Sequence, residues 1–378
     1  MSVLLAFDKF KGSLTQSELT EIVESYLSSI GIESESIPMA DGGDGSVAAL
    51  IELGWHEKTL EVTGPLDNNH SAGFAVSADR KRVAIELAEL CGIKYLNGRL
   101  SPFTASSRAI GEAIVKVNPS DFDEFIVCLG GSASVDGGTG LLQSIGVKIT
   151  DSRGKNIRPG LAGMSKARSM DASSLHYARR TYIGDCKIRV LSDTTASLTG
   201  RNGAAFSFGQ QKGLSFWGVI RAEFALRKWK RIASACSVAK PTNTPGQGCA
   251  GGIGFAFHTL LGAEIESGSN FFLHESGAKD ALQRSSLVVT GEGRIDQTTL
   301  SGKSIFPILE LARKLNRKVI LICGSANETT LRHLMNNYPI VEVIRLSDFD
   351  KPLHELISNA RVLLKEALKK VHVERWDQ

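Results

Sequence analysis

The sequence predicts an α/β protein with a doubly wound parallel sheet built from both chain ends and a second α/β domain inserted between them. Three observations predict it. Apolar runs alternate with helical spacings at the start of the chain, the same alternation returns at its end, and the stretch between them consists of short strands, long loops and clustered glycines. In order, residues 2–7 form an apolar run of strand length, 15–30 a helix, 34–39 a second strand and 46–53 a second helix. Near the end, 286–290 reads as a buried strand, 304–315 as a helix, 318–323 as a strand, the segment after Thr329 as a helix and 340–346 as a strand. A last helix over 353–371 carries the stripe Leu353, Ile357, Ala360, Leu364, Ala367, Val371. The expected division puts 1–66 and 283–378 in the first domain and 67–282 in the insert, with the active site in the cleft between them.

With 378 residues, 42% hydrophobic and 22% charged, the chain is long and apolar enough for two cored domains. Its first apolar run is too short for a signal peptide and no stretch approaches a membrane span, so the reading is a cytoplasmic protein with no membrane partner. The six cysteines are scattered without a CxxC pair and read as reduced core residues. A net charge of +4 is too small to argue for nucleic acid and suits anionic small molecules. The basic stretch 221–231 reads as a surface helix that buries Phe224 and solvates its cations. Oligomeric state leaves no mark in the pattern.

The 38 glycines, about a tenth of the chain, cluster beside carboxylates and lysines. Asp8-Lys-Phe-Lys-Gly-Ser-Leu14 follows the first strand, so Lys9, Lys11, Ser13 and helix amides can face an anion, or Ser13 can cap the helix. Asp41-Gly-Gly-Asp44 offers two carboxylates for a hydroxyl proton or Mg²⁺. Gly130-Gly-Ser-Ala-Ser-Val-Asp-Gly-Gly138 lies between a strand at 125–129 and a helix, where bare amides form an oxyanion or phosphate nest; Gly130, Gly131, Ser132, Asp136 and Gly137 are its candidates. Gly246-Gln-Gly-Cys-Ala-Gly251 matches GxGxxG, but no strand precedes it, which argues for a close approach of backbone or ligand over a dinucleotide site. Asp193 ends an apolar run and is a candidate base or a helix cap. Thr290 to Ser304 ends in Gly-Lys-Ser, yet Gln297 stands where a P-loop needs its first glycine. Glu292, Arg294, Asp296 and Lys303 remain as a polar loop leaving a buried strand.

Taken in order, these segments resemble the bacterial glycerate kinase family, the type without a P-loop. DKFKGSL, PMADGGDG, ASSRAIGE, LGGSASVDGG, FGQQKG, PGQGCAGGIG and TGEGRIDQTTLSGK carry the resemblance along nearly the whole chain. It implies a flavodoxin-like domain and ATP-dependent phosphorylation of D-glycerate, usually to 2-phosphoglycerate. Phosphoryl transfer is mostly positioning and charge neutralisation. On that reading Asp8, Lys9, Lys11, Ser13 and the Gly130–Gly138 loop hold phosphates, and Mg²⁺ binds through Asp41 or Asp44. Asp193 takes the hydroxyl proton, with Asp41 and Asp296 also among the catalytic candidates. Arg294, Glu292 and Arg108 contact the substrate, and Lys303 meets a phosphate or carboxylate. Ser134, Val135, Gln210 and Asp193-Thr-Thr-Ala-Ser-Leu198 depart from the family pattern. Val135 and Ala196 therefore also permit a weakly catalytic sensor of glycerate or nucleotide, and a nicotinamide oxidoreductase is the reading that the misplaced GxGxxG argues against.

Overall fold

The computed structural model describes residues 2–237, 244–302 and 305–371. Strand β1 (Ser2–Phe7) leads through helix Gln16–Ser29 to β2 (Glu33–Ser36). A second sheet follows, made of β3 (His56–Thr63), β4 (Asn69–Val76), β5 (Arg82–Glu86), β6 (Glu124–Cys128), β9 (Lys187–Leu191) and β10 (Glu264–Glu266). Between β6 and β9, β7 (Ile149–Thr150) and β8 (Ser169–Met170) form a small pair of their own. The chain then returns to the first sheet with β11 (Leu287–Ile295), β12 (Lys318–Ala326) and β13 (Ile340–Arg345).

The first sheet has the order β13-β12-β11-β1-β2 and is parallel throughout. In order of appearance that is 2-1-3-4-5, the flavodoxin-like winding, whose direction reverses between β1 and β11. Val3 to Phe7 are fully buried because a central parallel strand is covered on both faces. Val3, Leu5 and Phe7 pack with Leu19, Ile22, Val23 and Leu27 of the first helix, while Leu4 and Ala6 pack with Ala281, Leu282 and Ile308 on the other face. The period of two sends alternate side chains to opposite layers.

By its internal contacts the chain forms two units, Met1–Asp41 with Ser269–Gln378, and Gly42–Gly268. These boundaries differ from 66/67 and 282/283. All eight residues of β3 pair antiparallel with β4, which draws 56–63 into the second sheet, and Ala278, Ala281 and Leu282 pack in the first unit. In the second sheet β10, β9, β6 and β5 are parallel, and β4 and β3 continue it antiparallel. Its core joins Val83, Ile85, Phe125, Val127 and Val190 to helix residues such as Ile110, Ile114, Leu226 and Trp229.

Three helical expectations change. The first helix is capped by Thr15, not Ser13: Thr15 Oγ1 accepts from Glu18 N while Glu18 accepts from Thr15 N, a closed capping box. The last helix is two, Leu353–Ser358 and Ala360–Leu368, because Asn359 leaves helical geometry (φ −107°, ψ 13°) and its side-chain amide donates back to Glu355 O. In helix Phe216–Ser234 the buried stripe is Ala222, Ala225, Leu226, Trp229 and Ala233, and Phe224, off that stripe, is 67% exposed. Among the described residues no helix is long and apolar enough to cross a membrane.

Candidate functional site

In the first unit the candidates collect at the carboxyl ends of β1 and β11, where the winding reverses and open α/β sheets place ligands. Asp8 follows β1, and its N–H donates to Gly291 O (2.9 Å). Strand β11 is longer than expected: it runs past the end of β1 to Ile295 and stays paired with β12, Glu292 opposite Cys323 and Arg294 opposite Ser325. Glu292 and Arg294 therefore lie on a strand, not in a loop. Glu292 accepts from the Thr299 hydroxyl (2.6 Å). Burial pushes its carboxyl up to about 8; the Thr299 bond opposes this, and the charges of Asp8, Asp296 and Asp41 add to it. Those four carboxylates are thus brought together electrostatically.

Lys9, Lys11 and Ser13 sit on a tight turn closed by Phe10 N to Leu14 O (2.8 Å) and Ser13 N to Phe10 O (2.8 Å). A Cβ on Gly293 would lie 3.2 Å from Phe10 Cα and 3.3 Å from Lys11 N, so the turn folds over β11 beside Glu292. The following helix offers fewer open amides than expected, because its own capping box closes the first turn. Arg294 is 75% exposed, with Nε 3.5 Å from Asp296 Oδ2. Asp296 itself organises the next turn, accepting from Thr298 N (2.8 Å) and Thr298 Oγ1 (2.7 Å). Lys303 lies outside the described residues.

In the second unit three loops meet at the ends of β5, β6 and β9. A Cβ on Gly130 would fall 2.3 Å from Gly43 Cα, and one on Gly42 2.8 Å from Leu191 C, so the Asp41–Gly45 loop crosses the ends of β6 and β9 backbone to backbone. Both carboxylate oxygens of Glu86, at the end of β5, accept from the start of helix Ser46–Glu52, Gly45 N at 2.9 Å and Val47 N at 2.9 Å. Burial raises Glu86 to about 7 against those two bonds, with Asp44 and Glu89 adding. Asp44, Glu86 and Glu89 each offer a carboxylate oxygen, all within 4.8 Å of one another. Beyond β9, Asp193 accepts from Ser267 Oγ (2.7 Å). It caps no helix, since the next begins at Ala204 after Gly203.

Several expected ligand contacts turn inward. Asp136 is fully buried and accepts from Ser107 N (2.9 Å), Ser107 Oγ (2.8 Å), Gly138 N (3.2 Å) and Gly140 N (3.2 Å). It holds the loop; it does not reach out of it. Gly137 donates to Gly251 O (3.1 Å) and accepts the Trp229 indole N–H (3.0 Å), and a Cβ there would strike Trp229 at 2.6 Å. That half of the loop is no open phosphate nest. In the GxGxxG segment, Cβ atoms on Gly248 and Gly251 would meet Ser197 O at 2.0 Å and Ser134 O at 2.1 Å, which supports backbone approach as the reason for those glycines. Arg108 points away to Glu112 (2.7 Å) and Asp67 (3.8 Å). Val135 is fully buried in the core and Ala196 packs under Gly248, whose N–H donates to Ala196 O (2.9 Å).

Sequence reading missed two groups. Glu86 ends an apolar strand as Asp193 does, and the same signal points to it. Lys212, from FGQQKG, is buried against the Gly130–Gly138 loop; a lone lysine in sequence carries no mark of burial.

A doubly wound flavodoxin-like sheet with charged groups at its switch point, joined in sequence to a glycine-rich α/β unit, defines a two-unit α/β protein whose first sheet has the build of a ligand-binding one. The chain matches the model of the glycerate kinase family over residues 3–375 and belongs to that family. It is 33% identical over 332 residues to the glycerate 2-kinase of Escherichia coli (strain K12), covering 87% of this chain and 86% of that one. To the glycerate kinase of Bacillus subtilis (strain 168) it is 32% identical over 330 residues, 86% and 85% of the two chains. A crystal structure from Salmonella typhimurium LT2 that carries the provisional name glycerate kinase 2 superposes with a TM-score of 0.78 at 29% identity, covering 98% of this chain and 97% of the other. The protein is a kinase.

Proposed function

We propose that the protein transfers the γ-phosphoryl group of ATP to the 2-hydroxyl of D-glycerate, giving 2-phosphoglycerate and ADP. The observation that carries this reading is the meeting of four carboxylates, Asp8, Asp41, Glu292 and Asp296, at the switch point of the first sheet, beside a turn bearing Lys9 and Lys11. The relative from Escherichia coli is named a glycerate 2-kinase, which supports the 2-position. Lys9, Lys11 and Ser13, with Gly130, Gly131 and Ser132, contact phosphates. Arg294 grips the glycerate carboxylate in a fork. Glu292, protonated near neutrality, lies beside that anion without repelling it and offers an O–H donor. Asp193 accepts the hydroxyl proton as the oxygen attacks the γ-phosphorus and ADP leaves. Asp136 and Gly137 position the loop, and Arg108, tied to Glu112, is withdrawn from the substrate contacts.

Mg²⁺ fits two places. Asp41 lies among the carboxylates around Glu292, and Asp44, Glu86 and Glu89 bring carboxylate oxygens within 4.8 Å of one another, so a divalent ion would be held by Asp41 in one group or by Asp44 in the other. Bound there, it would neutralise phosphate charge. Purified protein with Mg-ATP is expected to release ADP in proportion to added D-glycerate and far less with L-lactate, which lacks the second hydroxyl, with phosphorus NMR identifying the 2-ester. Absence of glycerate-dependent ADP release over a range of pH and metals would overturn the reading.

A further inference from the structure

Lys212 is an ammonium in the interior, 5% exposed, at the end of β6. Its Nζ donates to Ser132 Oγ (2.8 Å) and Ser134 O (2.7 Å). Both acceptors are neutral, and among the described residues it forms no salt bridge. The nearby Asp136 attracts it, but that carboxylate accepts from Ser107, Gly138 and Gly140. A buried charge without a directly bonded counter-charge is costly. Burial lowers the group to about 8, against the charges of nearby groups that raise it. An ammonium has three N–H donors and a neutral amine two, so the two bonds made here leave one N–H over in the charged form.

A second buried group beside it is also unsatisfied. Ser134 Oγ is fully buried and has no hydrogen-bond partner, although buried hydroxyls nearly always find one. Ser134 is the residue whose carbonyl Lys212 holds, and Gly131, three residues before it on the other side of Ser132, is open to solvent. Lys212 has an N–H to spare and Ser134 a hydroxyl to spare, on two residues already joined through the Ser134 carbonyl, and an oxygen carrying negative charge would satisfy both.

We propose that Lys212 and Ser134 form an oxyanion subsite at the Gly130–Ser134 turn, Lys212 giving its third N–H and Ser134 its hydroxyl to an oxygen of a substrate carboxylate or phosphoryl group. The identity of that anion rests on the kinase reading above: glycerate supplies a carboxylate, ATP a phosphoryl group. The anion restores the counter-charge that the chain withholds, so binding draws a proton onto Lys212. The other ionisable groups facing it are Cys91, Cys249 and Asp136. Cys91 and Cys249 are pushed up to about 12 by burial and stay neutral, and the Asp136 carboxylate accepts from Ser107, Gly138 and Gly140.

The test is calorimetric titration of the full-length protein with D-glycerate, with ATP and with inorganic phosphate, in buffers of different ionisation enthalpy between pH 6.5 and 9.5. Wild type is expected to take up a proton on binding near pH 8 and to lose affinity as pH rises through that value. Lys212→Gln, which keeps an N–H donor and removes the charge, is expected to bind at least about tenfold more weakly and to show no proton uptake. Ser134→Ala removes only an unpartnered hydroxyl, so it is expected to fold as wild type and to weaken the same ligand several-fold. Loss confined to glycerate identifies the carboxylate, and loss confined to ATP and phosphate the phosphoryl group. Unchanged affinity and proton uptake in both variants would overturn the subsite and leave a buried water as the partner of the two groups. Should no ligand turn over while these differences persist, the kinase reading fails and the subsite stands.

Discussion

Ser267 donates to one oxygen of Asp193 and fixes the carboxylate just beyond β9. Asparagine keeps an acceptor for that bond and cannot take a proton, so Asp193→Asn is expected to lower kcat about a hundredfold with little change in the KM for glycerate, by steady-state kinetics. An unchanged kcat would move the proton to another group. Glu292 offers a pH test independent of activity. Its folded value of about 8 lies above the ordinary 4.5, so the folded state keeps a proton that the unfolded state has lost between those values. The stability it contributes is complete below about 4.5 and is lost as pH rises through about 8. Glutamine does not titrate, so the melting temperature of Glu292→Gln, relative to wild type in metal-free buffer, is expected to climb steadily from pH 4.5 to 8. A constant difference across that range would mean that Glu292 is ionised throughout.

At the scale of elements, the glycine loops are explained by how closely backbones cross, which is a different cause from the phosphate cradle that their spacing suggests. Gly130 has no left-handed φ to require glycine; it is needed because Gly43 Cα occupies the space of its Cβ. Backbone cannot rotate out of the way as a side chain can. Gly130→Ala is therefore expected to lower stability by about 1–3 kcal/mol or more, and to reduce kcat/KM further by displacing the Asp41–Gly45 loop. Thermal melts beside kinetics measure the two effects. A variant as stable and as active as wild type would show that the loops part without cost.

The whole molecule is two bodies with separate interiors. Among the described residues, the large core of the second unit draws on residues 60–265, and the two cores of the first on residues 3–39 and 273–371. The second unit is contiguous in sequence, at 42–268, and contains its own six-stranded sheet. A chain of those residues alone is expected to fold with a cooperative thermal transition and fixed near-ultraviolet circular dichroism. A broad, non-cooperative melt would show that its stability depends on the rest of the chain.

Sequence by itself determined the doubly wound class of the first sheet, the family, and which charged residues follow the strands. Each of these is written locally: an apolar run sets a strand, a 3.6-residue spacing sets a helix, and a charged residue after a buried run sits at a sheet edge. Only the tertiary structure decided which way those residues face. Asp136 reads in sequence as a phosphate contact of the glycine loop and Arg108 as a substrate contact, yet one is consumed by four internal donors and the other is drawn to Glu112. Val135, a departure from the family pattern that suggests a missing polar contact, is core packing. Lys212, unremarkable as a letter, becomes a buried cation 78 residues from the carbonyl it holds. Burial and pairing are set by long-range contacts, and the free energy of a charge depends on what surrounds it, which a one-dimensional pattern does not carry.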